Sequence, residues 1–150
     1  MILLFFVWHI GSIAGLVKVR AGHEAAVAAV LGAAADALDA FRASRRAGFD
    51  NVSLDLIFSI PGATNQDWQH TLDVVIDLRP EHISTYALTL EEGTSFHRRA
   101  RSGDLPVVGE DDDARQYIDG IERLTAAGYE HYEISNFALP GRRSRHNWAY

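Results

Sequence analysis

Asn51-Val52-Ser53-Leu54-Asp55-Leu56-Ile57-Phe58-Ser59-Ile60-Pro61-Gly62-Ala63-Thr64 is the stretch on which the fold turns. Its first part, Asn51 to Ile60, is short, β-branched and aromatic, and Pro61-Gly62 stops it. That pattern reads as a strand covered on both sides, because a strand with only one dry face alternates polar and apolar residues throughout. Side chains alternate across a strand, so Ser53, Asp55 and Ile57 share one face and Leu54, Leu56 and Phe58 the other. Asp55 is the anomaly. A carboxylate in such a place costs several kcal/mol of desolvation unless it is paired or hydrogen-bonded. One use for it is to accept hydrogen bonds from a ligand's hydroxyls, as an acidic residue grips a ribose. A structural pair with an arginine or with backbone amides fits the same residues.

Working outward, the alanine-rich run Ala25 to Ala47 reads as a helix, with Ala37, Leu38, Ala40 and Phe41 as its apolar stripe. Gly48 ends it in a position suited to a left-handed cap. On the other side, Thr64 opens a helix through Asp77, with Asp67 placed for a capping box and Trp68, Leu72 and Val75 on one face. A second strand spans Glu81 to Leu90, followed by a short helical turn from Ser95 to Arg101. A helix from Gly109 to Ala127 comes next, with Glu110 to Asp113 at its positive end and Tyr117, Ile118, Ile121 and Leu124 as the expected buried stripe. A third strand is expected over Tyr129 to Phe137. Strands separated by crossovers of this length run parallel. Three such strands do not close a barrel. The expected fold is therefore α/β: a partial parallel (β/α) barrel with three or four parallel strands and crossover helices. The sequence stops at Trp148-Ala149-Tyr150 with no further helix to cover the last strand, which favours a slice of something larger.

Composition narrows the function classes. The formal net charge of −6 offers no basic face for phosphates, which argues against nucleic-acid binding. There are no cysteines, which removes disulfides, thiol nucleophiles and thiolate-held zinc or iron–sulfur centres, and is compatible with a cytoplasmic setting. The seven histidines show no metal-ligand spacing. Met1 to Val17 is apolar but diluted by His9, Gly11 and Gly15, so a buried strand and loop is expected there in preference to a membrane span. In parallel α/β folds the loops after the strands form the site. Here those loops are 59–64, 89–94 and 136–141. Glu91 and Glu92 are adjacent and point apart, which suits a solvated loop better than an acid/base pair. Ser84 and Tyr86 on the second strand, and Glu133 and Ser135 on the third, add to a polar inner layer. His146 is either an iron ligand or simply exposed.

The residues from Asn51 to Thr64, then Asp67-Trp68, Pro80-Glu81-His82-Ile83-Ser84, Tyr86-Ala87-Leu88-Thr89 and Glu91-Glu92-Gly93-Thr94, resemble the middle of the radical S-adenosylmethionine haem chaperones. These are relatives of oxygen-independent coproporphyrinogen III oxidase. Gly128 to Ala138, and Ser144-Arg145-His146-Asn147-Trp148-Ala149-Tyr150, are similar to that family's next block. The resemblance implies a parent that uses S-adenosylmethionine and an iron–sulfur cluster and handles haem or a porphyrin. It implies S-adenosylmethionine contacts at Asp55 and Ile57, with Ala87 and Thr89 lining the same pocket, and a haem contact at His146. The departures are equally definite. The family's Cys-x-x-x-Cys-x-x-Cys is absent, a serine stands at Ser59 where the family has glycine, and residues 1–30 match poorly, leaving 31–150 as the partial barrel. Without the cysteines the chain alone is expected to be inactive. A non-catalytic haem-binding module and a non-functional truncated remnant are the other two readings.

Overall fold

The computed structural model describes residues 2–3 and 37–144. Its sheet contains β1 (Ile2–Leu3), β2 (Val52–Phe58), β3 (His82–Ala87), β4 (Glu130–Glu133) and β5 (Asn136–Ala138), in the order β1-β2-β3-β5-β4. Helix α1 occupies 37–46, α2 Asn65–Leu78, α3 Ser95–Arg101 and α4 Glu110–Ala126. The residues expected to begin α1, 25–36, lie outside the described residues, as does most of the apolar N-terminal segment. Of that segment only Ile2–Leu3 is described, as a strand parallel to β2.

Strand β2 lies between β1 and β3 and is parallel to both; β2 and β3 are the first two of the parallel strands expected, while β1 comes from the N-terminal segment. Helix α2 crosses from β2 to β3. It starts where the sequence placed it: the Thr64 side chain accepts from the Asp67 amide, and Asp67 accepts from the Thr64 amide at 2.9 Å. The two donors so satisfied are among those a helix start leaves orphaned. Its end is a left-handed Arg79 (φ 50°), after which Pro80 leads into β3.

Leu54, Leu56 and Phe58 of β2, Ile83 of β3 and Phe137 of β5 form the dry face of the sheet. Against them pack Ala37 and Phe41 of α1, Trp68, Leu72 and Val75 of α2, and Leu124 of α4. The stripe of α4 is the expected one at Tyr117, Ile121 and Leu124, which pack on the core, but not at Ile118. Its buried residues are Gln116, Gly120 and Leu124, while Ile118 is 51% exposed. The cause is Trp68. Its indole N–H donates to the Gln116 carbonyl at 2.7 Å, and a Cβ on Gly120 would come within 3.3 Å of the ring. The helix rolls its smallest residue onto the largest side chain of α2.

The expected third strand is instead a hairpin, β4 and β5 joined by Ile134-Ser135, with β5 antiparallel to both β4 and β3. Nothing between Tyr129 and Phe137 is glycine or proline, so the run carries no turn signal. The turn is closed by a side chain: Glu133 accepts from the Ser135 amide and from the Asn136 side chain. Strand β4 recovers the heading of β3, with one reversed strand between them.

Cutting Leu72, fully buried in the core, to alanine should cost about 2–5 kcal/mol in urea unfolding. Ile118→Ala should stay within about 0.5 kcal/mol, since that side chain faces water.

Candidate functional site

The parallel register of β2 and β3 decides what shares the second face of the sheet. Ser53 lies opposite His82, Asp55 opposite Ser84 and Ile57 opposite Tyr86. Strand β5 adds Asn136 beside Ser84, and β4 adds Glu133 beside Asn136. Asp55, Ser84, Asn136 and Glu133 thus form one polar row across four strands. Asp55 is half-buried, and Ser84 and Asn136 are buried. Burial pushes the Asp55 carboxyl above its ordinary value, and a hydrogen bond with the Ser84 side chain pulls the other way. The structural pairing with an arginine is not what Asp55 makes among the described residues.

Beneath this row lies a second polar station. Ser53 Oγ and His82 Nδ1 are 2.9 Å apart, His82 Nε2 and the Tyr132 hydroxyl 2.7 Å, and the Ser144 amide donates to that hydroxyl at 3.2 Å. His82 is buried, and burial pushes its imidazole below the ordinary value. Reading the sequence alone passed over His82, although the alternation that places Ser84 and Tyr86 inward applies equally two residues earlier.

The loop after β2 explains a departure noted in the sequence. Ser59 is left-handed (φ 56°), a conformation that costs a residue with a Cβ roughly 1–2 kcal/mol and glycine nothing. Two bonds from α4 hold it there. Its amide donates to Gln116 Oε1 at 2.9 Å, and its hydroxyl donates to Asp113. Gln116 also donates to Asn65 Oδ1 at 2.9 Å, so one buried amide ties the β2 loop to the starts of α2 and α4. A cleft of about 450 Å³ opens beside it, lined by Gly62, Thr64, Asn65, Pro106, Val108 and Gln116. Gly62 and Thr64 belong to the expected site loop 59–64, whereas none of Asp55, Ile57, Ala87 and Thr89 lines the cleft.

Of those residues, the structure brings Asp55 and Ile57 to one face. Ala87 pairs with Phe58, on the opposite side of the pleat, and Thr89 is exposed beyond the end of β3. His146 lies outside the described residues. Glu91 and Glu92 are exposed, as a solvated loop requires. The expected loop 136–141 begins instead as β5, and the turn Ile134-Ser135 takes its place beside the C-terminal part of β3. There the Thr85 amide donates to the Ser135 carbonyl at 2.7 Å. Among the described residues no group of three or more His, Asp or Glu side chains could hold a metal ion. No helix there is long and apolar enough to cross a membrane.

The two inward ionisable groups set opposite pH dependences. Asp55, raised above 3.8, supports the fold fully below that pH, and this support is lost as pH rises through its folded value. Asp55→Asn should therefore match the wild type near pH 3 and exceed it in urea midpoint at pH 7. His82, lowered from 6.5, should cost stability as pH falls below 6.5 toward its folded value. That loss should vanish in His82→Gln when urea midpoints at pH 7 and pH 5 are compared.

No family model matches the chain. Among curated proteins it is 38% identical over 112 residues to "Heme chaperone HemW" of Lactococcus lactis, covering 75% of this chain and 30% of that protein. It is 41% identical over 103 residues to the protein of the same name in Mycobacterium tuberculosis (strain H37Rv), covering 69% and 26%. It is 38% identical over 117 residues to "Radical S-adenosyl methionine domain-containing protein 1, mitochondrial" of Mus musculus, covering 78% and 26%. The fold matches coproporphyrinogen III oxidase from Escherichia coli, described as a radical SAM enzyme, with a TM-score of 0.61 at 24% identity. That match covers 90% of this chain and 29% of the other. The chain thus spans less than a third of the length of these proteins, and its 38–41% identity to the three curated relatives shows that it belongs to the radical S-adenosylmethionine family of the haem chaperone type.

Proposed function

We propose that this chain is the ligand-gripping part of a radical S-adenosylmethionine protein of haem or porphyrin metabolism, with Asp55 as its main contact to the ribose hydroxyls of S-adenosylmethionine. The observation that carries the reading is the placement of Asp55: a half-buried carboxylate on the inward face of a parallel pair, with a single serine hydrogen bond and acceptor capacity to spare. Ile57, one step along the same face, supplies an apolar wall. Ala87 and Thr89 stand at and beyond the end of β3, both exposed, and are assigned to the same ligand. Bound S-adenosylmethionine would supply the group cleaved reductively by an iron–sulfur cluster. The cluster does not fit this chain: 150 residues without a cysteine provide no thiolate for it. Its ligands must come from elsewhere in the parent.

Haem or porphyrin is the proposed partner, with His146 as the haem contact, and the cytoplasm the proposed location. The haem contact is supported by the likeness to haem chaperones and by the Ser144 to Tyr150 motif; the location rests on the bacterial relatives alone, the Mus musculus relative being named mitochondrial. Calorimetric titration with S-adenosylhomocysteine should give saturable binding that falls at least tenfold in Asp55→Asn. A flat titration would remove the Asp55 assignment. Haemin should develop a shifted Soret band that His146→Ala loses. The coding sequence upstream should contain Cys-x-x-x-Cys-x-x-Cys, and its absence from every frame would overturn the reading.

A further inference from the structure

Past β5 the chain doubles back on β4. The Arg142 amide donates to the Leu139 carbonyl at 2.9 Å, and Gly141 in the turn is left-handed (φ 76°). The return brings Ser144, which is buried, to the Tyr132 hydroxyl, and the Ser144 amide donates to it at 3.2 Å. Ser144 stands two residues before His146. Arg143 also holds the returning segment, pairing with Glu130 at 2.9 Å and lying over the Tyr132 ring. Both members of that ion pair are substantially exposed, and pairs of this kind hold weakly and are screened by salt. The Tyr132 hydroxyl is the inner anchor. It lies 2.7 Å from His82 Nε2, and His82 Nδ1 lies 2.9 Å from Ser53 Oγ. With the Ser144 amide donating to it, the phenol oxygen can pass its own hydrogen to Nε2, which leaves Nδ1–H to donate to Ser53. One polar chain so runs from β2 through β3 and β4 to residue 144. Removing its middle member strands buried groups on either side.

We propose that Tyr132, oriented by His82, is a positioning residue for the haem contact: it fixes the backbone at Ser144, from which the segment carrying His146 departs. The inference rests on the reading of His146 as that contact, and it assigns the second polar station of the sheet a part in haem affinity. A ligating side chain whose segment is anchored beforehand loses less freedom on binding, so the anchor is read as affinity.

The test titrates the full chain with haemin and follows the Soret band, with circular dichroism checking that each variant is folded. Tyr132→Phe keeps the ring beneath Arg143 and removes only the hydroxyl. It should weaken haemin by roughly fivefold or more, the size of one lost hydrogen bond, with the Soret maximum where the wild type has it. Tyr129→Phe is the control for stability alone. Its hydroxyl, in the core, donates to the Pro80 carbonyl at 2.7 Å, and its loss should leave haemin affinity within about twofold of the wild type. His82→Leu should weaken haemin as Tyr132→Phe does, and His82→Gln, whose amide can meet the Tyr132 hydroxyl, should restore it to within about threefold. If Tyr132→Phe binds like the wild type, or Tyr129→Phe weakens haemin as much, the positioning role is overturned while the His146 reading stands. Should Tyr132→Phe fail to fold, equal affinities for His82→Leu and His82→Gln overturn it in the same way. If His146→Ala binds like the wild type, the His146 reading fails and takes the positioning role with it.

Discussion

The parallel pairing of Val52–Phe58 with His82–Ala87 is the constraint from which the rest follows. Side chains in a strand alternate with period two, so a slip of one residue would send Leu54, Leu56 and Phe58 to the polar side and Asp55 into the core. The register is held at its start by Glu81. Its carboxylate accepts from the Val52 amide at 2.8 Å and pairs with Arg45 of α1, also at 2.8 Å, while its own amide donates to the Val52 carbonyl. One side chain thereby fixes where β3 begins relative to β2 and seats the end of α1 on both. Burial of this kind raises the cost of losing either partner, since the survivor would be left half-desolvated.

The same register separates two chemistries that the sequence interleaves. Every second residue of β2 and β3 serves the hydrocarbon core, and the residues between them carry hydroxyl, imidazole, carboxylate and phenol groups to the other side. The polar face tolerates this load because its members satisfy one another in pairs: Ser84 with Asp55, Ser53 with His82, His82 with Tyr132, Asn136 with Glu133.

Much of this was legible in the residues. The boundaries of α2 followed from Thr64 and Asp67, and the two faces of β2 from plain alternation. The placement of Asp55 on the face away from the core followed from the same alternation. What could not be read depended on partners distant in sequence. The roll of α4 answers to Trp68, about fifty positions away, so helical periodicity alone put Ile118 inward. The hairpin of β4 and β5 is closed by the Glu133 side chain and not by a glycine or proline, so nine residues looked like one strand. Ser59 looked like a departure from a family glycine, and only the contacts from Asp113 and Gln116 show how a residue with a Cβ is held there. His82 was missed for want of a motif, although its parity was plain.

The hairpin has a geometric consequence. A single returning strand would have left the sheet one rung narrower. By doubling back, the chain inserts β5 and still presents β4 with the heading of β3, so any strand joining the free edge of β4 meets a neighbour oriented as in a uniform parallel array. Each inserted strand lengthens the arc by about 4.8 Å. The polar face is thereby broadened without any change in the sense of the strands that flank the inserted one.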